Sequence, residues 1–474
     1  MPNFNEWLEG LDQRRTVLVE VGFLNGGSSG TLRLSNRPFT TRPSDSPASV
    51  PFEDVILSGL TYGSKMSGQA SGGFSLTVGS IVLAASPEVS AAILYQVAGQ
   101  PVRVYLGDQR WPFADFQLVA TLTAESLEPE GIETYRLNFR TERLTLDNKI
   151  NSGTFTTGPN KDKSKPVLLG DCLNIKPVQQ DDSGLVWAVS DGPVASIGNV
   201  RVDGVVTSVS RNTTAGTITF SSAPSGVVTC DAVGQGGGLL KDVVSAVLAR
   251  NGITSIDTAA VNALPAVTVG IYSEGDLAAR PALDSLLRSV SGYWGFNRLG
   301  SFTAGLVYKP TGNPTASLTP DDILLNGVRF KSRIRPATYV ELTFDVNHTD
   351  QSSKLGSVSA ADRALWSGKG KTSKKDNVGI LALYPDAEEK QATTVLRGTT
   401  AGEAEAERRR VFFSIPLRTF EVKAFAVPFA FNVGQEIRLF YPFFGMEAGI
   451  DAVVLSIEDD PLKGFTTLEV LVNG

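Results

Sequence analysis

The chain has 474 residues, of which 42% are hydrophobic and 19% charged, with a formal net charge of −6. That balance builds ordinary cores but lacks the clustered basic excess of a protein that grips nucleic acid by its phosphates. One histidine and two cysteines exclude histidine-rich metal chemistry, a disulfide framework and a four-cysteine metal site.

At about 100–200 residues per domain the length suits three or four domains. The 47 glycines and 25 prolines imply frequent turns and many short strands. No apolar run approaches the ~18–20 residues of a membrane-crossing helix, so no membrane insertion is expected. Arg14 and Arg15 stand near the start, but Glu20 interrupts the apolar run after them. This segment reads as a short helix and a first strand rather than an export signal.

Residues 1–150 are expected to form a barrel-like β domain. "TVLVEVGFL", "PVRVYLG" and "FQLVATLTAESL" are strand-like. In "TYRLNFRTERLTL", Tyr135, Leu137 and Phe139 alternate with Arg136, Asn138 and Arg140, so one face meets a core and the other water. Ser86 and Pro87 open a predicted helix that Gly99 ends. Residues 151–165 are a polar linker that buries nothing.

Residues 166–235 read as a small β module. Asp203-Gly204 between Val202 and Val205 is a two-residue hairpin signal. "GTITFSSAPSGVVTCDAV" reads as strand, turn at Pro224 to Gly226, strand. Cys172 and Cys230 lie in this module and read as two buried, small apolar residues.

Residues 236–376 form a mixed α/β domain. Leu239, Leu240, Val243, Val244, Val247 and Leu248 make one helical face, stopped at Asn251-Gly252. A second helix spans Pro281 to Val290, and "YWGFNRLGSFTAGLV" is an aromatic hairpin turning near Leu299-Gly300. "TPDDI" reads as a helix start with Thr319 as cap. Residues 337–349 are a strand. Residues 350–376, with Lys369, Lys371, Lys374 and Lys375, read as an exposed loop, solvated or at the rim of an assembly contact.

Residues 377–474 are a helix followed by a small β-barrel of four or five strands. In the helix Glu405 is spaced to pair with Arg409. The fold expected overall is mainly β with α+β parts: multidomain, barrel-like β domains plus a mixed α/β middle.

Several motifs imitate catalytic sites. "GGSSG" matches a nucleophile elbow at Ser28, but a strand-like "TLRLS" follows where a helix is needed. "DAVGQGGGLL" leads into a helix like a dinucleotide loop, but Leu239 occupies the third glycine position. His348 has no cysteine or histidine neighbour and reads as a surface or capping residue. The adjacent acids Asp181-Asp182, Asp321-Asp322 and Asp459-Asp460 suit loop caps as well as they suit chemistry. No catalytic, cofactor-binding or metal residue is assigned.

The ordered set "PVLLGDCLNIKPV", "LVWAVSDGPVASIGNVRVDGVV", "GYWGFNRLGSF", "PATYVELTFDVNHTDQ" and "EAEAERRRVFF" through "LFYPFFGMEAGIDAVVLSIEDD" resembles the hub proteins of long-tailed phage tails. The resemblance covers most of the chain and implies a non-enzymatic, ring-forming homotrimer at the tail tip of the virion, assembled in the host cytoplasm. Its implied partners are the distal tail ring, a fibre or spike protein and the tape measure protein, with DNA only in passage during ejection. Each subunit would carry two barrel-like domains, with residues 16–150 and 377–474 as the candidates, so that three chains mimic six-fold symmetry. Some such hubs hold an iron–sulfur cluster, which two cysteines do not support here. The aromatic-rich tail serves either a core or a neighbour, and Phe443 and Phe444 are the candidates for an interface. The competing expectations are a tail-borne cell-wall or polysaccharide hydrolase and a different tail part, such as the distal tail protein.

Overall fold

The computed structural model describes residues 4–10, 13–59, 61–66, 74–140, 144–351, 358–425 and 429–474. The fold is mainly β, with several sheets and a few helices. After a short helix, α1 (Phe4–Glu9), come β1 (Arg15–Asn25), β2 (Ser28–Ser35), β3 (Pro51–Asp54), β4 (Ile56–Gly59), β5 (Tyr62–Met66), β6 (Phe74–Val78) and β7 (Ile81–Ala84). Helix α2 (Pro87–Ala92), β8 (Pro101–Asp108), β9 (Gln117–Pro129) and β10 (Thr134–Arg140) follow.

One antiparallel ladder runs β2-β1-β8-β9-β10-β7-β4. The return edge is β3, which pairs with β2 in parallel. Val55, between β3 and β4, donates its N–H to the Ser35 carbonyl and accepts from the Ala84 N–H, so a single bent strand closes the ring. Alternate residues fill the interior, among them Val17, Val19, Val21, Leu34, Ile81, Leu83, Val102, Val104, Leu106, Leu122 and Leu137. Helix α2 has its Ser86 cap, with the hydroxyl accepting from Val89 N–H. It ends well before Gly99 because Gln96 exchanges backbone hydrogen bonds with Leu24 instead.

Residues 151–165 contain no long strand, yet Phe155 among them is fully buried, contrary to the expectation of a linker that buries nothing. Beyond them lie β11 (Val167–Ile175), β12 (Ser196–Val202), β13 (Val205–Val206), β14 (Val228–Val233), α3 (Leu240–Arg250), β15 (Thr268–Ser273), α4 (Ala279–Ser289), β16 (Gly292–Phe296) and β17 (Phe302–Leu306). The hairpin at Asp203-Gly204 is present, with both residues at positive φ. The strand, turn and strand read across Pro224 to Gly226 are present, but the two strands do not pair with each other: residues 217–219 join a four-stranded sheet, whereas β14 joins a six-stranded one. Helix α3 begins at Leu240, leaving Leu239 exposed ahead of it, and ends at Asn251 with Gly252 at positive φ. The β16–β17 hairpin turns at Leu299-Gly300 as the sequence indicates.

The rest comprises β18 (Ala316–Leu318), β19 (Ile323–Ile334), β20 (Ala337–Phe344), α5 (Ala360–Ser367), β21 (Lys371–Asp376), β22 (Glu388–Thr393), β23 (Leu396–Arg397), α6 (Thr399–Phe412), β24 (Leu417–Ala424), β25 (Glu436–Leu439), β26 (Ile450–Asp460) and β27 (Phe465–Asn473). Two expectations are corrected here. Residues 319–322 are a turn, not a helix start, because the Asp322 carboxylate accepts from both the Thr319 amide and hydroxyl and caps the bend. The lysine-rich stretch 350–376 is not a loop throughout: it contains α5 and β21, the latter paired antiparallel with β20. Residues 352–357 of that stretch lie outside the described residues.

A second barrel runs β25-β26-β27-β24-β19. It closes as the first does. Strand β18 pairs with β25 in parallel, and β19, directly after the 319–322 turn, pairs antiparallel with β24. Its core includes Leu318, Phe420, Val422, Leu439, Val454, Leu468 and Val470. The expected extents therefore change. The second barrel borrows β18 and β19 from the 236–376 segment, and β5 pairs with β26, so a strand from the first barrel's segment joins the second. The six-stranded sheet β13-β12-β14-β11-β15-β23 likewise joins three of the expected segments. Long-range pairing sets these limits, and local composition carries no trace of it.

Candidate assembly interface and buried clusters

Among the described residues, the exposed phenylalanines lie on the second barrel. The loop after β25 carries Phe443, 60% exposed, and Phe444, 47% exposed. Phe444 stands at positive φ, which turns its ring onto Tyr441 in a stack at 6.2 Å and against Phe420 at 5.6 Å. Phe420 faces Phe330 across the β19–β24 ladder, and Phe330 is also exposed. Buried Phe420 thus anchors a cluster whose outer rings meet solvent. Period-two alternation alone did not reveal Phe330, which stands opposite buried Phe420 yet is exposed on β19, at the end of the ladder.

The sequence's catalytic look-alikes occupy turns and packed positions. Ser28 is exposed in the β1–β2 hairpin, where Gly26 and Gly27 take positive φ and a strand follows. The glycine-rich run before α3 serves close packing: a Cβ at Gly234 would lie 2.2 Å from the Leu168 carbonyl oxygen. His348 is not a surface residue. It is half-buried with its ring edge-on to Tyr272 at 6.0 Å, and burial, helped by nearby Arg397, pushes its pKa down to about 4. Cys172 and Cys230 sit on the adjacent strands β11 and β14 in one core, unbonded, with burial pushing both thiols up. Asp181 accepts from the Val186 amide and Asp460 from the Lys463 amide, so these acids cap turns. Among the described residues no group of histidine, cysteine or acidic side chains is arranged to hold a metal.

A cavity of about 310 Å³ lies where β5, the β16–β17 turn and β26 meet. Tyr62, Arg298, Phe429 and Asp459 line it. The Arg298 guanidinium lies over the Phe429 ring at 4.7 Å. Asp459 accepts from the Thr466 hydroxyl at 2.6 Å and from the Phe429 amide. Burial outweighs those bonds and the Arg298 charge, and pushes the Asp459 carboxyl up to about 6. An unfolded aspartate ionises near 3.8. Between these values the folded state holds the extra proton, so Asp459 withdraws stability as pH rises from about 4 to about 6. The full cost above that is about 3 kcal/mol. Asp459→Asn is therefore expected to flatten this slope and to stabilise the protein at neutral pH by about 2–3 kcal/mol. Urea unfolding at acid and neutral pH checks it: a variant no more stable than the parent at neutral pH would contradict the assignment.

No family model matches the chain, and no curated protein matches it. Among solved structures it is similar to tail proteins. The tail protein from Neisseria meningitidis MC58 aligns over 97% of this chain and 96% of its own at 11% identity, with a TM-score of 0.44. The 43 kDa tail protein of prophage MuSo2 from Shewanella oneidensis aligns over 96% and 98% at 11% identity, with a TM-score of 0.43. A chain from the virion of a native gene transfer agent aligns over 71% and 88% at 14% identity, with a TM-score of 0.45.

Proposed function

We propose that this chain is the central hub of a phage tail tip, a non-enzymatic structural subunit of the virion. Copies join as a trimeric ring between the distal tail ring and the fibre or spike, beside the tape measure protein, and leave a path for DNA during ejection. The observation supporting this reading is the pair of barrels within one chain, each closed by a bent strand that pairs parallel on one side and antiparallel on the other. Three copies would present six similar modules, which lets a three-fold ring meet a six-fold one. The net charge of −6 would keep passing DNA from sticking.

The exposed aromatics supply the material for contacts. A buried aromatic anchor is worth about 2 kcal/mol or more in an interface, so Phe443→Ser with Phe444→Ser is expected to weaken self-association at least ~10-fold. Sedimentation velocity on the full chain measures this, with Phe443→Ser alone as the variant least able to disturb the fold. Electron microscopy of the assembly should show three-fold rings. Six-fold rings, a protein that stays monomeric, or cleavage of peptidoglycan by purified protein would each overturn the reading.

A further inference from the structure

Strands β21, β20 and β22 form a small sheet in which β20 is central. Both outer strands are open edges: among the described residues no strand pairs with the far side of either. The two edges differ in charge. Strand β21 carries Lys371, Lys374 and Lys375 against one acid, Asp376. Strand β22 carries Glu388 and Glu389 against one base, Lys390. The segment joining them exposes Val378, Leu381 and Leu383, with Val378 97% exposed. Apolar side chains at such exposure beside two unpaired edges are a recognisable contact surface.

We infer that this sheet is a head-to-tail contact between copies of the chain, in which the β21 edge of one copy pairs with the β22 edge of the next. The inference rests on the ring reading above. Lysines on an edge strand ordinarily keep edges apart. Here that repulsion acts between two β21 edges and reverses between β21 and β22, so the charges select head-to-tail over two-fold pairing. Strand direction agrees. Strand β21 runs antiparallel to β20 and β22 runs parallel to it, so similarly oriented copies meet in an antiparallel junction. One register sets Lys374 opposite Glu389 and Lys375 opposite Glu388, with Lys390 opposite the uncharged Ser373.

Charge reversal on the full chain tests this. K374E/K375E leaves the Lys371–Asp345 ion pair in place. E388K/E389K reverses the other edge. Each is expected to weaken self-association roughly 10-fold, and the quadruple variant should return to near the parent's affinity, because its edges are again opposite in sign. K374Q/K375Q gives a milder version should reversal disturb folding, and circular dichroism checks that each variant folds. If the parent assembles and the edge variants assemble equally well, or the quadruple variant is as weak as each half, the inference fails while the ring reading stands. If the parent itself stays monomeric at every concentration, the ring reading fails and this inference fails with it.

Discussion

Replacing Glu405 by alanine is expected to cost about 3–5 kcal/mol of folding stability. Glu405 and Arg409 are both buried on α6, paired at 2.7 Å one helical turn apart. Arg408 Nε donates to the other carboxylate oxygen at 2.8 Å, and the Ser291 hydroxyl donates at 2.8 Å. The arginines reach further: Arg409 donates to the Arg288 carbonyl and Arg408 to those of Val290 and Val307. The cluster therefore ties α6 to the end of α4 and to the β16–β17 hairpin. Burial by itself would raise the Glu405 pKa, but the bonds from Arg408 and the charges of both arginines overcome it and hold the carboxyl below its ordinary value. Its contribution is thus present above the unfolded carboxyl's pKa and disappears in acid. Truncation strands the buried Arg409 without its counter-charge. The contrast is Glu407, which is exposed and paired with Arg410 three residues on. Glu407→Ala should cost less than about 1 kcal/mol. Urea unfolding of both variants decides the matter, and equal losses would contradict the buried network.

Arg250→Leu is expected to be about as damaging, at about 3–5 kcal/mol. At the last turn of α3, Arg250 makes a two-pronged contact with Asp191 at 2.7 and 2.8 Å, and the Asp191 side chain is completely buried. The same guanidinium donates to the Ile150 carbonyl at 3.1 Å and to Gln235 at 2.7 Å. One side chain thus holds the start of the 151–165 segment, the 186–191 region and α3 together. Leucine fills the volume but leaves a carboxylate unpaired in the interior. Adding Asp191→Asn removes that charge and should restore a measurable part of the loss, because the asparagine can still accept from the Ser152 amide that Asp191 now receives. A double variant no more stable than Arg250→Leu alone would show that the charge is not the source of the effect.

Local signals in the sequence identified what local physics determines. The Asp203-Gly204 hairpin, the Asn251-Gly252 stop, the Leu299-Gly300 turn and the Glu405–Arg409 pair all depend on neighbours in the chain, and all appear as read. What failed to show depends on distant partners, except at the Thr319 bend, where the partner Asp322 is local and the motif itself is ambiguous. The Thr319 bend looks like a helix cap because the same serine, threonine and aspartate chemistry closes turns and helices alike. The lysines of β21 look like a loop because nothing in "KTSKKD" announces that Tyr339 to Phe344 will pair with it. His348 looks exposed because its contacts, the Tyr272 ring and the Leu173 carbonyl, are far off in sequence. The exposure of Phe443 and Phe444 was undecidable between core and surface, since either outcome uses the same residue types.

The pairing of β5 with β26 has a mechanical consequence. Lys65, Ser64, Gly63 and Tyr62 lie opposite Ser456, Ile457, Glu458 and Asp459, with Tyr62 then packed on Phe429. A pull that separates the two ends of the polypeptide enters at Tyr62 and leaves at Asp459, the same end of this antiparallel ladder, so it opens the rungs one at a time. Tension on the two barrels meets these pairs in succession, Tyr62–Asp459 first and Lys65–Ser456 last.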